Sequence, residues 1–196
     1  MGVHDKSDAV WAESNKLFKV PLRLALEVAD EDGAMLQPTT GAIFPAKAGN
    51  FERGLLQAYN EEGTDVGANY EYNDGRGIAR ASLYVTSGLG MDKTTYLRHS
   101  ERDMAAAHPW AEPFEDAPIT IKTSQSEQHG HYALYRDSKK GKRYTGVYVF
   151  EPVPNIMVKF RLTYDGKHRE AFNASFRALM QAMTWPGQQV DQQATE

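Results

Sequence analysis

His129 and His131 stand two residues apart at the start of an expected strand, so both imidazoles share one face of it. Two such rings could open a zinc or copper site, or do acid–base work in a hydrolase. Two ligands do not hold an ion, and His108, Glu127 or Asp137 would have to come close to complete a site. No metal or other cofactor is therefore expected, and the plain reading of the pair is ordinary histidines at a loop edge. His4, His99 and His168 have no helpful spacing, and His99 has no carboxylate at HExxH spacing.

Tyrosines offer the stronger lead. Tyr132, Tyr135, Tyr144 and Tyr148 lie on two neighbouring expected strands, and Tyr70, Tyr72 and Tyr84 on others. On a shared solvated face, the first four would line a ligand-binding groove. Otherwise they are aromatic cross-strand packing in the core.

Other chemistry is poorly supported. The loop from Ser87 to Lys93 joins a strand to a helix, where a helix N-terminus can hold phosphate. It lacks the full glycine-rich patterns, and Asp92 would put a negative charge beside the anion, so it reads as a turn with a cap. Ser82 and Ser87 have no nucleophile elbow around them. The carboxylates Glu61 with Glu62, and Glu112 with Glu115 and Asp116, fall in polar stretches without a visible cleft to separate their pKa values. Lys139, Lys140, Lys142 and Arg143 cluster at an expected hairpin tip, where they could meet phosphate or anionic lipid, or simply protect an edge.

The elements that must position these groups follow from periodicity. Val10, Trp11, Leu17 and Phe18 predict a short amphipathic helix over 8–19, which Pro21 ends. Leu22, Leu24, Leu26 and Val28 alternate as a half-buried strand, and 41–45 is a short strand or edge. The stretch 51–59 fits strand or helix, with strand preferred because Gly54 would weaken a helix. Val66, Ala68, Tyr70 and Tyr72 alternate into the turn signal at 73–77, and Ala79, Ala81, Leu83 and Val85 alternate out of it. A helix capped by Asp92 or Thr94 runs to about Ala107, with Leu97, Glu101 and Met104 along a thin face. A short strand at 119–123 precedes a hairpin, HYALYRD with KRYTGVYVF. A further strand follows, with Ile156, Val158, Phe160, Leu162 and Tyr164 on its core face and Met157, Lys159, Arg161 and Thr163 on a largely solvated one. Phe172, Phe176, Leu179, Met180 and Met183 then mark a helix over 168–185. The fold class is α+β: a twisted antiparallel sheet of about six to eight strands with the two main helices packed on one face. Residues 1–7 are expected to be a flexible N-terminus, 8–186 a single domain and 187–196 a disordered tail.

With 196 residues, of which 41% are hydrophobic, the chain can bury a sizeable core, and it has no cysteine. Disulfides, iron–sulfur clusters, thiolate zinc and cysteine nucleophiles are thereby excluded. A formal charge of -4 is the wrong sign for a general nucleic-acid binder. No apolar run approaches the roughly 18–20 residues of a transmembrane helix, and the first sixteen residues carry charges where a signal peptide needs an apolar run.

Two blocks, FERGLLQAYNEEGTDVGANYEYNDGRGIARASLYVTSGLG (51–90) and YVFEPVPNIMVKFRLTYDGKHREAFNASFRAL (148–179), resemble a family of bacterial proteins of unassigned function, many carried behind an export signal. The resemblance implies a periplasmic or cell-envelope location if a leader has been removed, and a cytoplasmic one otherwise. It implies no activity. The leading expectation is a non-catalytic binding or accessory protein whose partner is a small molecule or a protein. The rivals are a small hydrolase or metal-dependent enzyme using His129 and His131, and a structural or assembly protein.

Overall fold

A computed structural model describes residues 25–73, 79–137 and 143–188. The expected helix at 8–19, residues 22–24 of the first strand, the turn at 74–77, the hairpin tip with Lys139, Lys140 and Lys142, and the tail from 189 lie outside the described residues.

The chain forms β1 (Glu27–Val28), β2 (Met35–Gln37), β3 (Ala42–Phe44), β4 (Lys47–Ala48), β5 (Phe51–Ala58), β6 (Asp65–Tyr72) and β7 (Ala79–Ser87) before α1 (Lys93–Ala107). After it come β8 (Glu112–Lys122), β9 (Glu127–Asp137), β10 (Arg143–Val153), β11 (Ile156–Asp165), one turn of 3-10 helix (Gly166–His168) and α2 (Arg169–Ala182). Strands β4 to β11 make one antiparallel sheet of eight strands in the order β4-β5-β6-β7-β11-β10-β9-β8, and β1 to β3 make a small second sheet. The ambiguous 51–59 segment is strand, as preferred from sequence. Two meanders therefore meet where β7 pairs with β11, and α1 is the connection between them.

The mixed α+β class, the eight antiparallel strands and the two helices packed on the sheet are those expected. The helices do not share a face, however. Phe172, Phe176, Leu179 and Met180 of α2 join the core made by Tyr144, Tyr148 and Phe150 of β10 and Val158, Phe160, Leu162 and Tyr164 of β11. Leu97 and Met104 of α1 pack on Val147, Val149 and Met157, which point the other way. Side chains alternate across a strand, so these odd-numbered residues belong to the opposite side. The physical reason is that β10 is apolar on both faces and needs a cover on each.

Helix α2 touches both outer parts of the sheet, β4 and β5 at one margin and β8 at the other, so the twisted sheet curls around it. Aromatic rings fill the curl. Tyr164 stacks on Phe172 with centroids 4.2 Å apart, and Phe172 meets Phe51 edge-on at 5.6 Å. Trp185, expected at the end of the helix, lies beyond it; its indole nitrogen donates to the Met180 carbonyl at 2.9 Å. The small sheet is tied on by a bridge between Ile43 and Thr184 and by Arg53, which donates to the Phe44 and Gly33 carbonyls at 2.6 and 2.5 Å. Among the described residues no helix is long and apolar enough to cross a membrane.

Candidate functional site

The four tyrosines singled out from sequence are divided by the sheet. Tyr144 and Tyr148 are buried on the α2 face, and Tyr132 is half-buried beside them. Tyr132 stacks on Tyr148 at 4.9 Å, and Tyr148 meets Phe176 edge-on at 5.1 Å. Tyr144 stacks on Tyr164 at 5.3 Å. Arg169, at the start of α2, lies over the rings of Phe114 and Tyr144 and 3.5 Å from Glu115, which accepts from the Tyr132 hydroxyl. Burial, and then the hydrogen bond to Glu115, push the Tyr132 phenol up to about 12. Tyr135 belongs to the other face, where its hydroxyl donates to Glu101 of α1 at 3.4 Å. Helix α2 covers Tyr144 and Tyr148, and Tyr135 lies on the opposite face, so the four do not line one groove.

His129 and His131 do share a face, as the two-residue spacing requires, and it is the α1 face. They do not converge. His129 Nδ1 meets the Thr120 hydroxyl at 3.1 Å, whereas His131 Nε2 is bonded to the Asp116 carboxylate. Arg98 of α1 lies 3.9 Å from Asp116 and donates to Glu101 at 2.8 Å, so Asp116, Arg98, Glu101 and Tyr135 continue the chain of contacts. His108 is elsewhere, edge-on to Trp110 at 5.2 Å, with its pKa lowered by burial and by Arg161 and Arg143. Among the described residues no group of three histidine or carboxylate side chains could hold a metal ion. Asp92 caps α1, accepting from the Thr95 amide at 2.8 Å, which is the turn-with-cap reading of that loop.

A third cluster gathers groups that sequence reasoning did not connect. The main contacts of α1 are with β9 and β10, so the same face of the sheet continues past the helix over β11, β7 and β6. Here Lys159 and Arg161 of β11 stand side by side, opposite Tyr84 and Ser82 of β7. The Lys159 ammonium sits between two rings, 4.7 Å from the Tyr84 centroid and 5.1 Å from that of Tyr96 on α1. Among the described residues neither Lys159 nor Arg161 forms an ion pair. Asp103 of α1 and Asp65 of β6 are the acids whose charges act on Lys159.

Burial displaces the pKa values in this cluster. Burial, and then Arg161, lower the Lys159 pKa. Burial raises that of Asp65, opposed by a 2.9 Å hydrogen bond from Thr86 and by Lys159. Burial pushes Tyr96 up to about 12, and it raises Tyr59 as well. Gly67 leaves room between Tyr59 and Tyr84, because a Cβ there would lie 3.0 Å from one ring and 3.1 Å from the other. Partly buried groups with shifted pKa values on an accessible face are the arrangement expected of a functional site. No protein-family model matches the chain, and no curated protein is similar to it in sequence. The geometry therefore carries the functional argument alone.

A separate groove of about 430 Å³ lies at the ends of β5, β6 and β7, with Glu52, Arg53, Glu71 and Arg80 on its walls. Among the described residues its wall charges are balanced, and Arg53 is already committed to the Phe44 and Gly33 carbonyls.

Proposed function

We propose that this protein is a non-catalytic binding protein that takes a small anionic ligand beside α1, on the part of the sheet floored by Lys159 and Arg161. The observation that carries this reading is the pair of cations itself. Two half-buried positive side chains on adjacent same-face positions of β11 have no ion-paired carboxylate among the described residues. Such a pair can donate charge-assisted hydrogen bonds to a carboxylate or phosphate. The Tyr84 and Tyr96 rings beside the lysine supply apolar walls, and Tyr84 supplies a hydroxyl, the Ser82 proton being donated to Asn69 at 2.7 Å.

The test is a titration with inorganic phosphate and with benzoate, followed by two-dimensional NMR of the intact chain. Saturable shifts should map to Tyr84, Tyr96, Lys159 and Arg161, and the double variant Lys159→Met, Arg161→Met should lose them while keeping its spectrum elsewhere. Shifts absent for both anions at millimolar concentration, or unchanged in the double variant, would refute the proposal.

One observation favours a second reading, a hydrolase. Asp116 bonded to His131 could hold the imidazole in one orientation, as a general base requires. Substituting both His129 and His131 should then abolish a measurable esterase activity without unfolding the chain. Retained activity would remove this reading.

A further inference from the structure

The geometry points to a second capability of this face: Lys159 is an amine that captures small aldehydes and ketones as an imine. The inference rests on the same open face as the anion-binding reading, but on the lysine's surroundings rather than on the ligand's charge. Lysine amines become nucleophiles when they are desolvated or placed beside another cation, because both conditions disfavour the ammonium form. Lys159 meets both. It is half-buried, and Arg161 is its same-face neighbour on β11; the Tyr84 and Tyr96 ring faces, 4.7 and 5.1 Å away, keep water from the amine but attract its ammonium form. No ion pair among the described residues holds its proton in place. By contrast, Lys47 and Lys122 are exposed and paired with Glu52 and Glu127.

The chemistry balances without a redox partner. The neutral Nζ lone pair attacks the carbonyl carbon, the C–N bond forms, and the C=O π pair moves to oxygen, which takes a proton. Nitrogen then loses a proton to solvent. Protonation of the hydroxyl and breakage of the C–O bond, pushed by the nitrogen lone pair, expel one water and leave the C=N bond. Solvent supplies and takes up the protons at this half-exposed face, and Asp65 of β6 acts on the amine through its charge. The other titratable or charged groups facing the amine are Tyr84 of β7, Tyr96 and Asp103 of α1, and Arg161; Asp103, Asp65 and the two ring faces favour the ammonium, whereas burial, the largest effect, and Arg161 disfavour it. Two flat aromatic walls suit a small planar carbonyl compound, and an oxo acid would also meet the Arg161 guanidinium.

The experiment treats the intact protein at neutral pH with glyoxylate, and separately with the uncharged glycolaldehyde, and reduces any imine with borohydride. The labelled lysines are then located by peptide mass spectrometry. Lys159 should be labelled about tenfold faster than Lys47 and Lys122. Under the anion-binding reading, glyoxylate should outpace glycolaldehyde at Lys159 relative to those two lysines, and Arg161→Met should erase that advantage. Selective labelling of Lys159 by both compounds alike would support the reactive amine while removing the anion reading. Labelling of Lys159 no faster than that of Lys47 and Lys122 would overturn the inference, even if phosphate binds saturably at the same face.

Discussion

Gly130 of β9 lies directly against Phe150 of β10: a methyl group at position 130 would come within 2.4 Å of the Phe150 ring and 2.7 Å of the Val149 carbonyl oxygen. Phe150 is fully buried and meets Trp185 edge-on at 4.9 Å, so its ring has no free direction in which to retreat. The absence of a side chain at 130 is what lets the curled sheet bring that ring under α2.

Gly130→Ala should therefore destabilise the fold by about 1–3 kcal/mol, the usual cost of overpacking. Gly54→Ala is the matching control, because the nearest atom to its methyl would be the Asn69 carbonyl oxygen at 3.8 Å. That substitution should be neutral or slightly stabilising, since alanine loses less backbone entropy on folding. Urea denaturation of both variants checks the pair, and equal midpoints would contradict the packing argument.

Trp185 supports a second expectation. It is fully buried, is packed on Phe150 and Phe160, and has its one polar atom satisfied by Met180. Trp185→Ala should cost about 3–5 kcal/mol. Trp185→Phe keeps most of the apolar contact but leaves the Met180 carbonyl without this donor, so a loss of about 1–3 kcal/mol is expected. Chemical denaturation measures both, and an alanine variant as stable as the parent would mean that α2 is not anchored through this ring.

Alkaline pH should unfold the protein early. Burial raises the pKa of Tyr70, Tyr148 and Tyr164, the last to about 12. A raised phenol pKa means the folded state keeps its proton where the unfolded chain has lost it. Stability is therefore fully present below about pH 10, the ordinary tyrosine value, and falls as pH rises through the folded values. Each fully buried phenol steepens the fall by about 1.4 kcal/mol per pH unit inside that window. Tyrosinate absorbance and circular dichroism should change together in one cooperative step. Smooth, independent titration of all ten tyrosines before any loss of structure would oppose this.

Much of the architecture was legible because alternation is a strict rule on strands. The even-numbered residues from Ile156 to Tyr164 and the stripe from Phe172 to Met183 identified the α2 core in advance. The side taken by α1 was harder to read, since its thin stripe of Leu97, Ser100 and Met104 does not say which surface it meets. A signal was present in β10, where Val147 and Val149 are as apolar as Tyr148 and Phe150 and call for cover on both faces. Strand β8 begins at Glu112, well before the short strand expected at 119–123, and it contains Pro113 and Pro118. It is the outermost strand, so their missing amides cost it no interior pairing. The Lys159 cluster draws on β6, β7, β11 and α1, and no local spacing links residues 65, 84, 96 and 159. Only the lysine and arginine alternating in MVKFRLTY were visible, and there they read as a solvated face.

Asp65 provides the check on that cluster's electrostatics. Its carboxyl is partly buried, and burial outweighs the Thr86 hydrogen bond and the attraction of Lys159, so its folded pKa lies above the ordinary 3.8. The native state then holds the proton to higher pH than the unfolded chain. Ionising Asp65 therefore opposes folding at neutral pH, and the penalty disappears as pH falls below about 3.8, where both states are protonated. Asp65→Asn keeps an oxygen for the Thr86 hydroxyl and removes the charge. It should raise the melting midpoint at pH 7 by about 1–2 °C, a small effect because water reaches part of the group. The advantage should shrink towards zero at acid pH. Thr86→Val should move the other way: it removes the donor, raises the Asp65 pKa further in an NMR titration, and lowers stability at pH 7. A lower midpoint for Asp65→Asn at pH 7 would show instead that the carboxylate is needed to balance Lys159 and Arg161, and that these cations are less available to an external anion than the proposed function requires.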